Sequence, residues 1–422
     1  MNVTHPRYKE TLREFTTENG LRCILVFKPD YQGSCALLGT PFGALDLEQV
    51  DQEGTIYHVI PGTAHFLEHK LFENPEGDIM NVFTDLGAQV NAFTSYHETV
   101  YYFTTSADVI EPLNVLMDFV ANPSISEASV EKEKGIIVQE LNMYEQMPDV
   151  RLMMETYKSL YHNHPLKFDI GGDEQSVLSV SKEHLDECYL RNYHPQQMVL
   201  VVATGVDLDV IEETIRKKQS EHPVRAMQKV VRASVNEPIE VVNTYHTITM
   251  DVQSEKVAVA FKITEFFDSP LKRLKAEWAM RFLNEAAFSS LNPAYQQWMD
   301  DEIITDFFGV DSDFGEDYGF VLFFNETSDP KQFEDFVLEQ WEKATISEVT
   351  LQQLKRRSLG SAIRRMNHLD DLALGIMRST FEQMDYFETI DVIETISLDE
   401  VLAIKQLVHV ENRSVITLSK KA

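Results

Sequence analysis

The chain has 422 residues, 43% of them hydrophobic and 25% charged, a composition that buries a sizeable core and excludes disordered and fibrous classes. Acidic residues outnumber basic ones, 68 to 37, and the formal net charge of −31 argues against a nucleic-acid partner and against anionic membrane surfaces. Three cysteines, Cys23, Cys35 and Cys188, form no metal-type pair and read as free thiols.

From the N-terminus, residues 1–7 carry no apolar leader, and no run of about eighteen apolar residues follows, so a cytoplasmic chain with no membrane span is expected. Cys23-Ile-Leu-Val-Phe27 reads as a strand and Asp46 to Glu53 as an acidic loop. His65-Phe-Leu-Glu68-His69 then places two imidazoles at i and i+4, on one helical face. With His65 at 0°, His69 falls near 40° and Glu68 near 300° at about 100° per residue. Two imidazoles so placed can grip one zinc, and Glu68 can hold a proton beside it without joining the ligand set, as a general base must.

A zinc enzyme needs a third protein ligand and an open position. The helical pattern from Val130 to Glu145 offers a source, because Glu133 and Glu140 fall inside the apolar sector formed by Met143, Ile136, Tyr144, Ile137 and Leu141. A lone inward His or Glu is more often a satisfied structural group. Here two helices supply complementary anomalies, since carboxylates on a core-facing stripe are costly unless something compensates them, and a metal would. His162 and His164, in a His-Asn-His-Pro loop, read as structural, and His368 as part of a solvated basic helical face.

Further along, Gln219 to Pro238 is polar and irregular, the natural linker, and Val257-Ala-Val-Ala-Phe-Lys-Ile263 opens a second half like the first. Shifting the chain against itself by 216 to 221 residues aligns 64–72 with 280–288, 125–130 with 346–351, and Ser181 plus the strand 198–202 with Ser397 plus 414–418. Three ordered matches point to duplication. The expected fold is α+β, two duplicated domains at residues 1–218 and 241–422 around a linker at 219–240, each a largely antiparallel sheet covered by helices. Arg281, Asn284 and Glu285 stand where the first half has His65, Glu68 and His69, and Leu354 and Ser361 replace Glu133 and Glu140. One zinc per chain is therefore expected.

These residues resemble the inverted-motif zinc peptidases of the pitrilysin and insulinase family, which includes the mitochondrial processing peptidase. The resemblance covers nearly the whole chain and rests on 62–69, Leu86-Gly-Ala-Gln-Val-Asn91-Ala-Phe-Thr94, Glu133 to Glu140, and His194-Pro195. It implies that His65, His69 and Glu140 bind zinc, that Glu68 activates water, and that Glu133 orients a ligand or steadies the base. It further implies that Asn91 hydrogen-bonds substrate backbone and that Ala92, Phe93 and Thr94 form a strand edge pairing with an extended peptide. The family encloses its substrate between two clamshell halves of two domains each, so this chain supplies one half. Active members usually carry an Arg and a Tyr just after the second half's first helix, whereas 295–308 offers Met299 or Asp300 at the Arg position and no Tyr at its partner position. That departure favours a heterodimer with a related zinc-less chain over a homodimer. The alternative is a peptide-binding or assembly subunit with an idle or structural zinc site. Glu68 speaks against it, since a base adds nothing to holding metal.

Overall fold

The structure, a computed structural model, describes residues 1–74 and 77–421. It resolves into two compact units, and neither is contiguous in sequence. The first comprises 1–141, 169–233 and 363–387; the second comprises 142–168, 234–362 and 388–422.

The first unit is built on a seven-stranded sheet in the order Asn2–Thr4, Thr11–Thr16, Arg22–Phe27, Val199–Thr204, Ser34–Thr40, Thr99–Thr105, Ala88–Thr94. Every neighbouring pair is antiparallel except Val199–Thr204 with Arg22–Phe27. Its central strands are apolar at nearly every position because both faces are covered. On one face Cys23, Leu25, Ala36, Leu38, Tyr101 and Leu200 join a core with Phe66 and Leu67 of the helix Thr63–Leu71 and Leu113 of the helix Ile110–Ala121. The other face is covered by the helix Leu369–Phe381, whose Leu372, Ala373, Ile376 and Met377 are buried against Ser34–Thr40 and Val199–Thr204. Its first residue follows His368, which is exposed.

The second unit repeats this plan with five strands, in the order Tyr245–Met250, Arg413–Lys420, Lys256–Lys262, Gly319–Glu326, Gly309–Phe314. Again one pair is parallel, Tyr245–Met250 with Arg413–Lys420, and again the last strand in sequence inserts between the first two of the repeat. The helix Pro148–Leu160, from the first half of the chain, packs on Arg413–Lys420 and Lys256–Lys262. Equivalent serines cap equivalent helices: Ser126 Oγ accepts from Ser129 N and Ser347 Oγ from Thr350 N, while Ser181 and Ser397 accept from His184 N and Glu400 N.

Two stretches differ from their sequence reading. Asp46 to Glu53 is not simply a loop, because Glu48–Asp51 forms a three-stranded sheet with Ile56–His58 and with Val230–Arg232 of the polar segment 219–240. Asp46 is buried, accepting from Gly43 N and Arg232 Nε, so its charge serves a turn rather than solvent. The helix Glu127–Glu145 buries Val130, Glu133 and Ile137 as expected, yet Ile136, Met143 and Tyr144 are 44%, 55% and 40% exposed. The sector expected to face inward is open along one flank: Ile136 and Met143 face outward, as does Tyr144 near the end, whereas Leu141 stays half-buried against the core and Lys134, outside the expected sector, is buried.

Candidate metal centre

The helix Thr63–Leu71 starts at Gly62, whose φ of +89° lies in the left-handed region, and a Cβ there would stand 2.3 Å from Gly171 O. Close approach of the 169–172 turn requires glycine on its side as well, at Gly172, whose φ is +81° and where a Cβ would stand 2.5 Å from Pro61 O. His184 secures the entry to this helix: its Nε2 accepts from Ile60 N at 3.3 Å. Along the helix, the i, i+4 phase brings the His65 and His69 rings to 4.6 Å between centroids.

Glu140 reaches them from the helix Glu127–Glu145. Its Oε2 lies 3.9 Å from His65 Nε2 and 3.5 Å from His69 Nε2, and one donor atom from each of the three residues lies within 4.8 Å of the others. Ligands about 2.0–2.1 Å from one tetrahedral zinc stand about 3.4 Å apart, so the set fits zinc after small side-chain adjustments. The ring nitrogens are suitably divided on His69, whose Nδ1–H donates to Glu133 Oε1 at 3.0 Å and leaves Nε2 as the lone-pair donor. His65 Nδ1 is buried with no hydrogen-bond partner among the described residues. The residues present therefore fit the metal that the motif implies.

Electrostatics separate the roles. Burial, reinforced by the neighbouring His69, pushes His65 down to about 4, so its imidazole is neutral at ordinary pH and free to donate a lone pair. Burial acts to lower His69 too, but the hydrogen bond to Glu133 and the charges of Glu133, Glu140 and Glu68 outweigh it and raise the group. The bond to His69 holds Glu133 below the usual carboxylate range, with Lys70 adding to the effect. Lys70 is fully buried and pairs with Glu73 while standing 3.9 Å from Glu133 Oε2. Glu68 is raised by burial, partly offset by the Thr94 hydroxyl, which donates to its Oε2 at 2.6 Å.

Thr94 ends the strand Ala88–Thr94, the outer edge of the seven-stranded sheet. The pair Ser95 N to Glu98 O closes the turn to Thr99–Thr105, which makes 93 and 100 the next hydrogen-bonded pair and turns the backbone of Ala92 and Thr94 toward the open edge. In agreement, Ala92 N–H is taken by the adjacent Asn91 Oδ1 at 2.9 Å rather than by the ladder. His65, Glu68, His69, Glu133, Glu140 and Thr94 are thus joined by direct contacts, while Asn91, Ala92 and Phe93 lie along the adjoining edge. The sequence reading missed that Thr94 holds Glu68, and it missed Lys70, His184 and the glycine pair, none of which has a local signal. His164 is buried with Nε2 3.2 Å from Asp317, a structural histidine as read. Cys23, Cys35 and Cys188 are free and buried.

The fold and this centre can be compared with known proteins. Residues 58–174 match the family model of insulinase, peptidase family M16, and residues 179–357 match the M16 inactive domain. The chain is 32% identical over 387 residues, 90% of each chain, to the uncharacterized zinc protease YmfH of Bacillus subtilis. The crystal structure of an M16-like peptidase from Alicyclobacillus acidocaldarius superposes with a TM-score of 0.92 over the whole of both chains at 27% identity. The periplasmic protease PqqL of Escherichia coli shares the fold, TM-score 0.74 at 17% identity, with 99% of this chain covering 48% of that one. Two family models that together span most of the sequence, and a relative alike over nine-tenths of it, place this chain in the insulinase family of M16 peptidases.

Proposed function

We propose that the chain is a zinc endopeptidase that hydrolyses peptide bonds in oligopeptides or leader-type peptides, working in the cytoplasm within a chamber that a second subunit completes. The observation that carries this is Glu68: it stands beside the His65, His69, Glu140 group, outside the ligand set, with its carboxyl raised by burial and aimed by Thr94. Held there, zinc supplies Lewis-acid polarisation of a carbonyl and lowers the pKa of a coordinated water to about 7.

The chain's own residues do the rest. Glu68 takes the proton of the attacking water and returns it to the leaving amine, a task for which a raised carboxyl is better matched than an ordinary one. Glu133 fixes the His69 ring through Nδ1. The outward backbone of Ala92 and Thr94 pairs with an extended peptide, with Asn91 at hand for its backbone and Phe93 beside it, so main-chain bonds supply affinity and neighbouring side chains supply preference.

The second chain is inferred from what this one lacks. By the family resemblance, Met299 or Asp300, both on the short helix Tyr295–Asp300, takes the position of an Arg that supports the developing oxyanion, whose absence costs roughly 10²–10³ in rate. A related zinc-less chain is the preferred partner, a second copy the next choice. Among the described residues no helix is long and apolar enough to cross a membrane.

The test is cleavage of a mixed quenched-peptide pool by the purified zinc-loaded chain, with Glu68→Gln as the blank and zinc content measured in both. Cleavage lost in Glu68→Gln at unchanged zinc content supports the peptidase. Equal rates in the two proteins, alone and with the companion chain, would favour a binding subunit.

A further inference from the structure

Arg378 belongs to the helix Leu369–Phe381, far along the chain from the metal-binding motif, yet it touches the hairpin that carries Thr94. Its Nε and Nη2 both donate to Glu98 Oε1, at 3.1 and 2.8 Å, and its guanidinium carbon lies 5.9 Å from the centre of the Phe93 ring. Glu98 is 5% exposed, and a buried carboxylate of this kind is tolerated only with a charged partner. Phe93 and Glu98 flank the turn in which Thr94 ends one strand and Thr99 begins the next. The backbone of that turn is anchored on its other side, where Ala44 N and Leu45 N donate to Ser95 O and Tyr96 O, each at 3.0 Å.

We propose that Arg378 is a positioning residue for the general base, acting through the hairpin. By holding Phe93 and Glu98 together it fixes the backbone at Thr94, and so keeps the Thr94 hydroxyl on Glu68 Oε2. Thr99 adds to the constraint, its hydroxyl lying 3.5 Å from that of Thr94 and donating to Phe42 O at 2.8 Å. Ladder hydrogen bonds keep the rest of Ala88–Thr94 in register without Arg378. Loosening is therefore confined to the end of the hairpin that bears Thr94. The role rests on the peptidase reading above.

The experiment uses the full zinc-loaded chain, with its companion if one is required, and one peptide that the wild type cleaves and Glu68→Gln does not. Arg378→Ala is expected to lower kcat roughly tenfold while KM changes less than about threefold, since misplacing a reacting group costs rate before binding. Arg378→Lys, which keeps the charge and one donor, recovers part of the loss. In a Thr94→Ala background Arg378→Ala has no further effect on kcat, because the two changes break one chain of contacts. Hydrogen exchange speeds up at amides 94–98 and not at 88–92. A full Arg378→Ala penalty on top of Thr94→Ala, or an Arg378→Ala protein that melts earlier but keeps its kcat well below that temperature, overturns the proposal. A wild type no faster than Glu68→Gln overturns the peptidase reading itself, and the role of Arg378 falls with it.

Discussion

At the scale of single residues, the candidate metal centre depends on how its imidazoles are held. His69 has its Nδ1 committed to Glu133, so the ring cannot turn without losing a charged hydrogen bond. Glu133→Gln is expected to weaken zinc binding 10- to 100-fold with the fold intact, read by competition with a chelator of known affinity. A second prediction concerns acid. Burial alone would raise the pKa of Glu334, 1% exposed in its side chain, but hydrogen bonds from Arg413, Tyr245 and Lys331 hold it below the usual 4.5. A depressed carboxyl lends stability above its ordinary pKa and loses it as pH falls through the folded value. Acidification below about pH 4.5 should therefore lower the melting temperature of the wild type more than that of Glu334→Gln, whose melting temperature at pH 7 is already reduced. How much of this was readable in sequence varies by contact range. His65, Glu68 and His69 share a face by spacing alone, whereas the choice of Glu140 over Glu133 as ligand came from family resemblance. The grip of Thr94 on Glu68, 26 positions apart, leaves no local pattern.

At the scale of elements, the strand Ala88–Thr94 keeps one side unpaired, and its own Asn91 occupies the Ala92 N–H that a peptide would use. Proline is tolerated on an edge where the N–H faces outward. Ala92→Pro is expected to leave the melting temperature nearly unchanged while abolishing peptide binding, measured by fluorescence anisotropy in the Glu68→Gln protein. Alternation in Gln-Val-Asn-Ala-Phe-Thr permits a strand but cannot say that it lies at an edge, which depends on pairings made elsewhere. The helix Glu127–Glu145 shows the reverse failure. Its apolar phase is matched only in part, because periodicity gives the mean direction of a stripe and not which flank a neighbour covers: Ile136 and Met143 on one flank lie open, with Tyr144, while Lys134 on the opposite flank is buried.

At the scale of the molecule, the two sheets repeat one strand order, and each is covered by a helix from the other half of the sequence. Three weak matches at a near-constant shift made the duplication readable. The exchange of Pro148–Leu160 and Leu369–Phe381 was not, because a helix's apolar face does not name the sheet it will cover. A fragment ending at residue 233 retains every side chain of the candidate metal centre but lacks the helix over Ser34–Thr40 and Val199–Thr204. It is expected to bind the dye ANS, lack a cooperative thermal transition and be cut rapidly by trypsin, and adding a separately made 234–422 chain should reverse all three.

That exchange also sets a schedule. A ribosome adds roughly 5–20 residues per second, so the strand Val199–Thr204 is made some ten to thirty seconds, by that estimate, before the helix Leu369–Phe381 that must cover it. The half-made chain thus carries the complete HxxEH helix and Glu140 without a finished sheet to hold Thr94 against Glu68. Until that helix emerges the His65, Glu68, His69 and Glu140 group lacks its finished support, so the candidate centre is completed only after residue 381 has been made.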